Sequence, residues 1–351
     1  MTKDTPCSVA DHRTDPPLFS VVIPTRNRPA LLLRAINSVL MQRDARAEVI
    51  VVNDGSDAAL IAQLDDIALM LADRGKGRLV HLPAKSNGHG PSFALNFGAS
   101  YANGSYLCFL DDDDQWTDPT HLAHASTAIL VANQKPDLLL FQQYAYNSEG
   151  KLQKGPIWIE DLCRYIQETT SPINGTFYPV TAKILMKSAG FSHVNTTIIS
   201  KELFENINMF DPTIRYENDR DFYYRAVDSA KNIFYSTSFV ARHNIPAAVD
   251  KLSASSVVTN VDKYLYQSRL GIKAIIFCKT PEIRMHAQHH KSYVFRNLSV
   301  HLHKSGRSHD ALQFASEALS LKFTFKWLLY TILICTMAVI ETFSRKSPSK
   351  S

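Results

Sequence analysis

The chain has 351 residues, enough for a large α/β core plus an extension. Hydrophobic residues make up 45% and charged residues 20%, which excludes disorder as the main state; 13 Gly and 16 Pro exclude a collagen-like or low-complexity chain. The net charge of +5 gathers in the tail, where Lys322, Lys326, Arg345, Lys346 and Lys350 stand against the single acid Glu341, so the near-neutral remainder argues against a nucleic-acid-binding face.

Residues 1–17 read as a polar, flexible leader without the apolar stretch of a secretory signal. Phe19–Pro24 is then a β-branched apolar run, the mark of a strand buried on both faces. Apolar residues at helical spacing follow over Arg28–Leu40, with Pro29 suited to the first helical position. Glu48–Asn53 predicts a second buried strand, Ala58–Ala72 a helix, Leu79–Pro83 a strand, Pro91–Ala102 a helix and Tyr106–Leu110 a strand. This alternation implies a mostly parallel, doubly wound sheet. Further on, Asp137–Phe141, Thr196–Ser200 and Ile233–Val240 predict strands, Lys201–Ile207 and Asn218–Ala230 helices, and Asn147–Gly150 a turn. Beyond Val261 the pattern is helical: Thr280-Pro281 is a start signal, Gly306 a stop, and Ser308 a cap.

Five cysteines (7, 108, 163, 278 and 335) form no C-x-x-C pair and point to a reducing compartment. Cys108 and Cys335 lie in apolar runs and read as small buried hydrophobes. Six histidines at 286, 289, 290, 301, 303 and 309 converge on no helix face and read as surface residues.

The strongest chemical signal is Phe109-Leu-Asp-Asp-Asp-Asp-Gln-Trp116, four carboxylates at a strand's carboxyl end. Strand alternation puts Asp111 and Asp113 roughly on one side. Their mutual repulsion calls for a cation or raised pKa values, and oxygen ligands suit Mg²⁺ or Mn²⁺, which also hold a diphosphate. The plainer alternative is a solvated acidic turn. Asp54 of Val51–Asp57 closes another strand and offers an acceptor for a base or ribose, or simply makes an Asp-Gly turn. Pro24-Thr-Arg-Asn27 lies beside a helix N-terminus, which suits an anion. Asn87–Gly98 is glycine-rich but is neither a dinucleotide fingerprint nor a phosphate-binding P-loop.

Taken together, Phe19–Asn27, Val51–Asp57, Asn87–Gly98 and Leu110–Asp114 resemble family 2 glycosyltransferases of the GT-A fold, in order and spacing, over about residues 18–245. The resemblance implies a GT-A domain over 18–250, followed by a helical extension over 260–321 and a tail over 322–351. It implies a nucleotide-sugar donor, with Thr25, Arg26, Asp54, Asn96, Asp111 and Asp112 as donor contacts. Asp113 is then the expected ligand of Mn²⁺ or Mg²⁺, and His243 a second one. Asp219, in Tyr216–Arg225, is the expected general base, with Glu217 as rival. Three positions depart from the family pattern: Asn53, Leu95 and Asn218. The processive-synthase motif Gln-x-x-Arg-Trp is absent, which favours transfer of one sugar residue. The expected reaction is an inverting transfer from a UDP-sugar to a glycan or lipid-linked acceptor in bacterial surface-polysaccharide assembly. A sugar nucleotidyltransferase and a degenerate binding module are the alternatives.

The uncharged run Trp327–Ile340 is flanked by bases. As a helix it reaches about 21 Å, short of a bilayer's hydrocarbon core. It reads as an interfacial anchor at the cytoplasmic face of the membrane, with a packed core helix or a single span as alternatives.

Overall fold

The computed structural model describes residues 17–43, 46–166, 172–173, 175–245 and 258–346. Most of the expected leader, the boundary at 250–260 and the last five residues lie outside them.

Strand β1 (Phe19–Thr25) pairs in parallel with β2 (Ala47–Asn53) on one side and β4 (Tyr106–Phe109) on the other, and β3 (Gly77–His81) extends the sheet beyond β2. Alternation along these strands divides two buried clusters. Val21, Ile23, Val49, Val51, Cys108 and Leu110 pack against α1 (Pro29–Leu40), α2 (Ile61–Asp73) and α4 (His121–Val131). Val22, Ile50, Val52, Leu107 and Phe109 face α3 (Pro91–Ala99) and α8 (Asn218–Ser229). A strand buried on both faces needs apolar residues at every position, which is why these runs carry no polar alternation. Gly98 lets α3 lie against the sheet, since a Cβ there would come 2.4 Å from Val22 Cγ1.

The second half breaks the parallel order. Strand β8 (Thr197–Ser200) runs antiparallel between β4 and β6 (Leu138–Tyr146), and β9 (Ile233–Asn244) returns parallel to β6. The short strands β5 (Gln115–Trp116) and β7 (Phe177–Val180) add to β9, antiparallel. Among the described residues this is one nine-stranded mixed sheet with the order β3-β2-β1-β4-β8-β6-β9-β5 and β7 beside β9. Between β6 and α8 lie three short helices, α5 (Cys163–Ile166), α6 (Ala182–Leu185) and α7 (Lys201–Asn206), the last capped by the Ser200 hydroxyl.

Four helices close the described chain: α9 (Asn260–Phe277), α10 (Pro281–Lys304), α11 (Ser308–Leu321) and α12 (Phe325–Lys346). Pro281 opens α10 as expected. Gly306 follows the end of α10 at φ +72°, the left-handed stop that favours glycine. Ser308 is the first helical residue of α11 rather than its cap, and its hydroxyl donates to Glu341 of α12. Leu270, Ala274, Ile283 and Ala287 join the α8 side of the main core, while Trp327 and Ile334 seat α12 on α10 and α11.

Three expectations change. Cys335 is exposed, because α12 packs through Trp327, Ile334 and Ala338 and turns the cysteine outward. His286 is buried and His290 nearly so, since α10 presses them onto α8 instead of presenting them to solvent. Helix α12 also continues past the uncharged run. Its apolar stretch covers Phe325–Phe343, 19 residues of which 22% are buried, long and apolar enough by length and composition to cross a bilayer.

Candidate active site

The parallel strands end at one edge of the sheet. Thr25 and Asn53 are partners in register, and the chain leaving β4 is held to β1 by the Leu110 N–H donating to the Val22 carbonyl at 3.1 Å. Asp111–Asp114 therefore emerge beside Thr25. Asp112 turns inward and is 1% exposed. Its carboxylate accepts from the Thr25 hydroxyl at 2.6 Å and from Arg28 Nε at 3.2 Å, and Arg28 Nη2 lies 2.5 Å from its other oxygen. Arg28 also donates to Asp113 Oδ2 at 2.7 Å. Burial works against the Arg28 charge, but Asp112, Asp113 and Asp111 outweigh it and raise its pKa.

Asp114 is fully buried. It accepts from Asn195 Nδ2 at 2.5 Å, His243 Nδ1 at 2.7 Å and the Asn244 main chain at 2.7 Å. Burial would raise its pKa, but His243 prevails and lowers it. In return, Asp114 overcomes the burial of His243 and lifts the imidazole to about 9, so the pair is ionic at neutral pH. Asp111 and Asp113 keep 33% and 23% of their side-chain surface exposed, and burial beside the other acids raises both pKa values. Carboxylate oxygens of Asp111, Asp113 and Asp114 lie within 4.8 Å of one another.

A second wall comes from the turn before β8 and the start of α8. The His193 ring accepts the Asn195 N–H at Nδ1, which leaves its proton on Nε2. That Nε2 stands 3.8 Å from Asp111 and 3.7 Å from Asp219. Burial and the neighbouring His243 charge hold His193 down to about 3, so the ring is neutral. Burial and Glu217 push Asp219 up to about 7. Glu217 is engaged elsewhere: Arg220 Nε and Gln267 Nε2 donate to its two oxygens at 2.8 and 2.6 Å.

Beside Arg26 lies a cleft of about 390 Å³, lined also by Gly55, Ser56, Asp57 and Lys85. Arg26 crosses its floor to the Ser86 carbonyl at 2.8 Å. Two expected donor contacts are also tied into the surrounding main chain. Asp54 accepts the His89 and Gly90 main-chain N–H groups, at 2.7 and 3.0 Å, and the His89 ring; it braces the loop, and a Cβ on Gly88 would come within 2.5 Å of it. Both ends of the Asn96 amide are tied to the main chain of Phe210, at 2.8 and 2.9 Å, so it clips α3 to the loop before α8. Asn53, where the family pattern has an acid, accepts from the Ser56 N–H and meets His81.

The model of glycosyl transferase family 2 matches residues 20–207, more than half of the chain. The chain belongs to glycosyl transferase family 2. An uncharacterized glycosyltransferase of Rickettsia bellii is 29% identical over 209 residues, 60% of this chain and 27% of that protein; one from Rickettsia typhi is 27% identical over 60% of this chain and 58% of its own length. The chain thus spans from about a quarter to under two thirds of these relatives. A putative colanic acid biosynthesis glycosyl transferase of Escherichia coli is 37% identical over 124 residues, 33% of this chain and 42% of that protein. Among solved structures, Staphylococcus aureus TarS 1–349 with UDP-GlcNAc superposes with a TM-score of 0.63 at 19% identity, covering 86% of this chain and 81% of TarS 1–349. A Pyrobaculum calidifontis mannosyltransferase with GDP-Man and Mn²⁺ gives 0.54 at 16% identity, covering 98% and 92%. These likenesses establish the GT-A-like fold.

Within this family member the structure brings Thr25, Asp111, Asp112, Asp113, His243 and Asp219 to one site, with Asp54 just after β2 and Asn96 on α3 around it. It adds Arg28, Asp114, His193 and Asn195, which sequence reasoning passed over. Asp219 and His243 lie beyond the matched segment.

Proposed function

We propose that this chain transfers one sugar from a nucleoside-diphosphate donor to a glycan acceptor, with inversion and with Asp219 as general base. One observation carries the reading: Asp219 and Asp111 both lie within 3.8 Å of His193 Nε2, which brings the acidic loop and the proposed base to one site. The rival Glu217 has both oxygens bound, and its charge keeps Asp219 basic enough to accept a proton near neutrality. Inversion needs the base on the face opposite the leaving group, and the place of Asp219 at the start of α8, across His193 from the acidic loop, supports that reading. The Arg26 cleft suits the nucleotide, with Thr25 and Asp112 fixing the acidic loop and Asp54 shaping the pocket's far side. TarS with UDP-GlcNAc supports a uridine donor. For the acceptor, a cleft of about 300 Å³ beyond Gln143 offers the stacked rings of Tyr144 and Phe239 beside Glu160 and Asp161, a mix of aromatic face and polar edge that suits a sugar.

The donor set fits a divalent cation. Three clustered carboxylates have Arg28 and His243 as near counter-charges, and the burial that raises Asp111 and Asp113 is relieved by a hard cation. Mn²⁺ or Mg²⁺ would be held by Asp113 with Asp111 and Asp114, and it supplies neutralisation of the departing diphosphate. His243 would join only on releasing the proton that Asp114 now favours. Calorimetry with UDP checks this: Mn²⁺ should strengthen UDP binding to wild type by about tenfold or more, whereas EDTA or Asp113→Ala removes the gain. Equal UDP affinity with Mn²⁺ and with EDTA speaks against a metal site.

The outward face of α12 supports peripheral membrane contact. Leu329, Ile332, Leu333 and Ile340 are each more than half exposed, and Lys322 and Lys326 precede them. The full chain should co-sediment with vesicles containing anionic lipid, and Ile332→Glu with Leu333→Glu should abolish this without lowering thermal stability. Retained sedimentation in that variant argues against α12 as the contact.

A further inference from the structure

The helix that carries Asp219 is gripped along its length by the C-terminal helices. At its start Glu217 accepts from Gln267 of α9 at 2.6 Å. One turn on, Asp221 pairs with Lys273 of α9 at 2.9 Å. The Tyr224 hydroxyl meets His286 of α10 at 2.8 Å. At the last turn Asp228 accepts the main-chain N–H groups of Lys279 and Thr280, at 2.9 and 2.8 Å, where α10 begins.

The grip matters most at Glu217. Its φ is +53°, the left-handed region, which a residue with a Cβ occupies only where its surroundings impose it. The side chain is the handle. Arg220 Nε holds Oε2 at 2.8 Å, Gln267 Nε2 holds Oε1, and His290 Nε2 of α10 stands 3.5 Å from Oε2. Arg220 is itself fixed, 8% exposed and with its guanidinium 4.3 Å over the Phe191 ring. The left-handed turn at Glu217 sets where α8 starts, and so where Asp219 points two residues later.

We propose that Gln267 is a positioning residue for sugar transfer: from the C-terminal helices it holds Glu217 through its left-handed turn and thereby aims Asp219 at the donor site. The helices after residue 260 thus complete the reaction centre, with His290 as a second contact. The family match ends at residue 207 and does not reach them. This rests on Asp219 acting as the base.

The test uses the full chain as wild type, Gln267→Leu and Gln267→Lys, the last keeping a donor on a flexible stem. Hydrogen exchange comes first because it needs no donor sugar. The Arg220 and Asp221 amides, which donate to the Glu217 carbonyl, should exchange about 10-fold faster in Gln267→Leu and near the wild-type rate in Gln267→Lys. Turnover is then measured on whichever UDP-, dTDP- or GDP-sugar the wild type cleaves. In Gln267→Leu kcat should fall about 10-fold with donor KM unchanged, because the cost is misalignment of one group; Gln267→Lys should restore it. Unchanged exchange, a loss shared between kcat and KM, or a tolerated Leu beside a failing Lys each overturns the proposal, the last showing that Gln267 only fills space. Full activity in Asp219→Asn overturns instead the base assignment beneath it.

Discussion

Asp219→Asn is expected to lower kcat by about 10²–10⁴-fold while leaving nucleotide affinity within about threefold, since general-base catalysis is worth that much and the amide keeps the carboxylate's size. The side chain is 14% exposed and its Oδ2 faces His193, so an amide fits the same space. What it cannot do is take a proton from an acceptor hydroxyl. Burial and Glu217 push Asp219 up to about 7. The base form is the ionised one, so wild-type activity should rise as pH increases through that value and level off above it. The same rise should vanish in Asp219→Asn, whose residual rate belongs to alignment and donor binding alone. Nucleoside diphosphate release across pH 5–9, with UDP affinity measured on the same samples, checks both parts. If UDP affinity falls as far as the rate, Asp219 is a donor-binding group and the acceptor must be activated by another.

The strand-end half of this site was legible in the sequence because it is built from local pattern. The strands β1, β2 and β4 are buried on both faces and read as largely apolar runs, with Ser20 and Glu48 near their starts as the exceptions. Their carboxyl ends fall where polar residues interrupt them, at Thr25, Asn53 and Asp111. The other half depends on long-range pairing, which leaves no local mark. Asn195 sits on a single 3-10 turn, Val194–Thr196, and His193 caps it, in a stretch of sequence with no periodicity. Their value comes from β8 inserting antiparallel between β4 and β6, which no local signal announces. Arg28 stands just before α1, where no local pattern marks it, yet it is the counter-ion of two aspartates more than 80 residues away. Asp54 and Asn96 show the converse. Their motifs were recognisable as polar positions, but their hydrogen bonds to the main chain of His89, Gly90 and Phe210 come from distant loops that no local pattern announces. The histidines at 286 and 290 fail for the same reason as Arg28: α10 alone shows no reason to bury them, and α8 supplies it.

Arg28→Met is expected to destabilise the fold by about 3–5 kcal/mol, the cost of leaving a buried charge without its partner, and to lower Tm by roughly 5–10 °C. Asp112 is 1% exposed, and its near cation in the structure is Arg28. Methionine keeps much of the arginine's stem volume but leaves Asp112 with the Thr25 hydroxyl alone and removes the donor to Asp113. Burial already raises Asp112 to about 7 with Arg28 in place, and the loss of Arg28, which lowers it, drives it higher. The sign follows. A carboxyl whose folded pKa lies above its unfolded value destabilises the native state as pH rises from the unfolded value toward the folded one. The Tm gap between wild type and Arg28→Met should therefore be narrow at pH 5, where Asp112 is protonated in the variant, and widest at pH 8. Arg28→Lys should recover only part of it, because one ammonium cannot span both oxygens of Asp112 and still reach Asp113. Thermal unfolding of the three proteins at pH 5 and pH 8 checks this. A gap independent of pH would mean that Arg28 acts by packing and that the acidic loop has another source of charge balance.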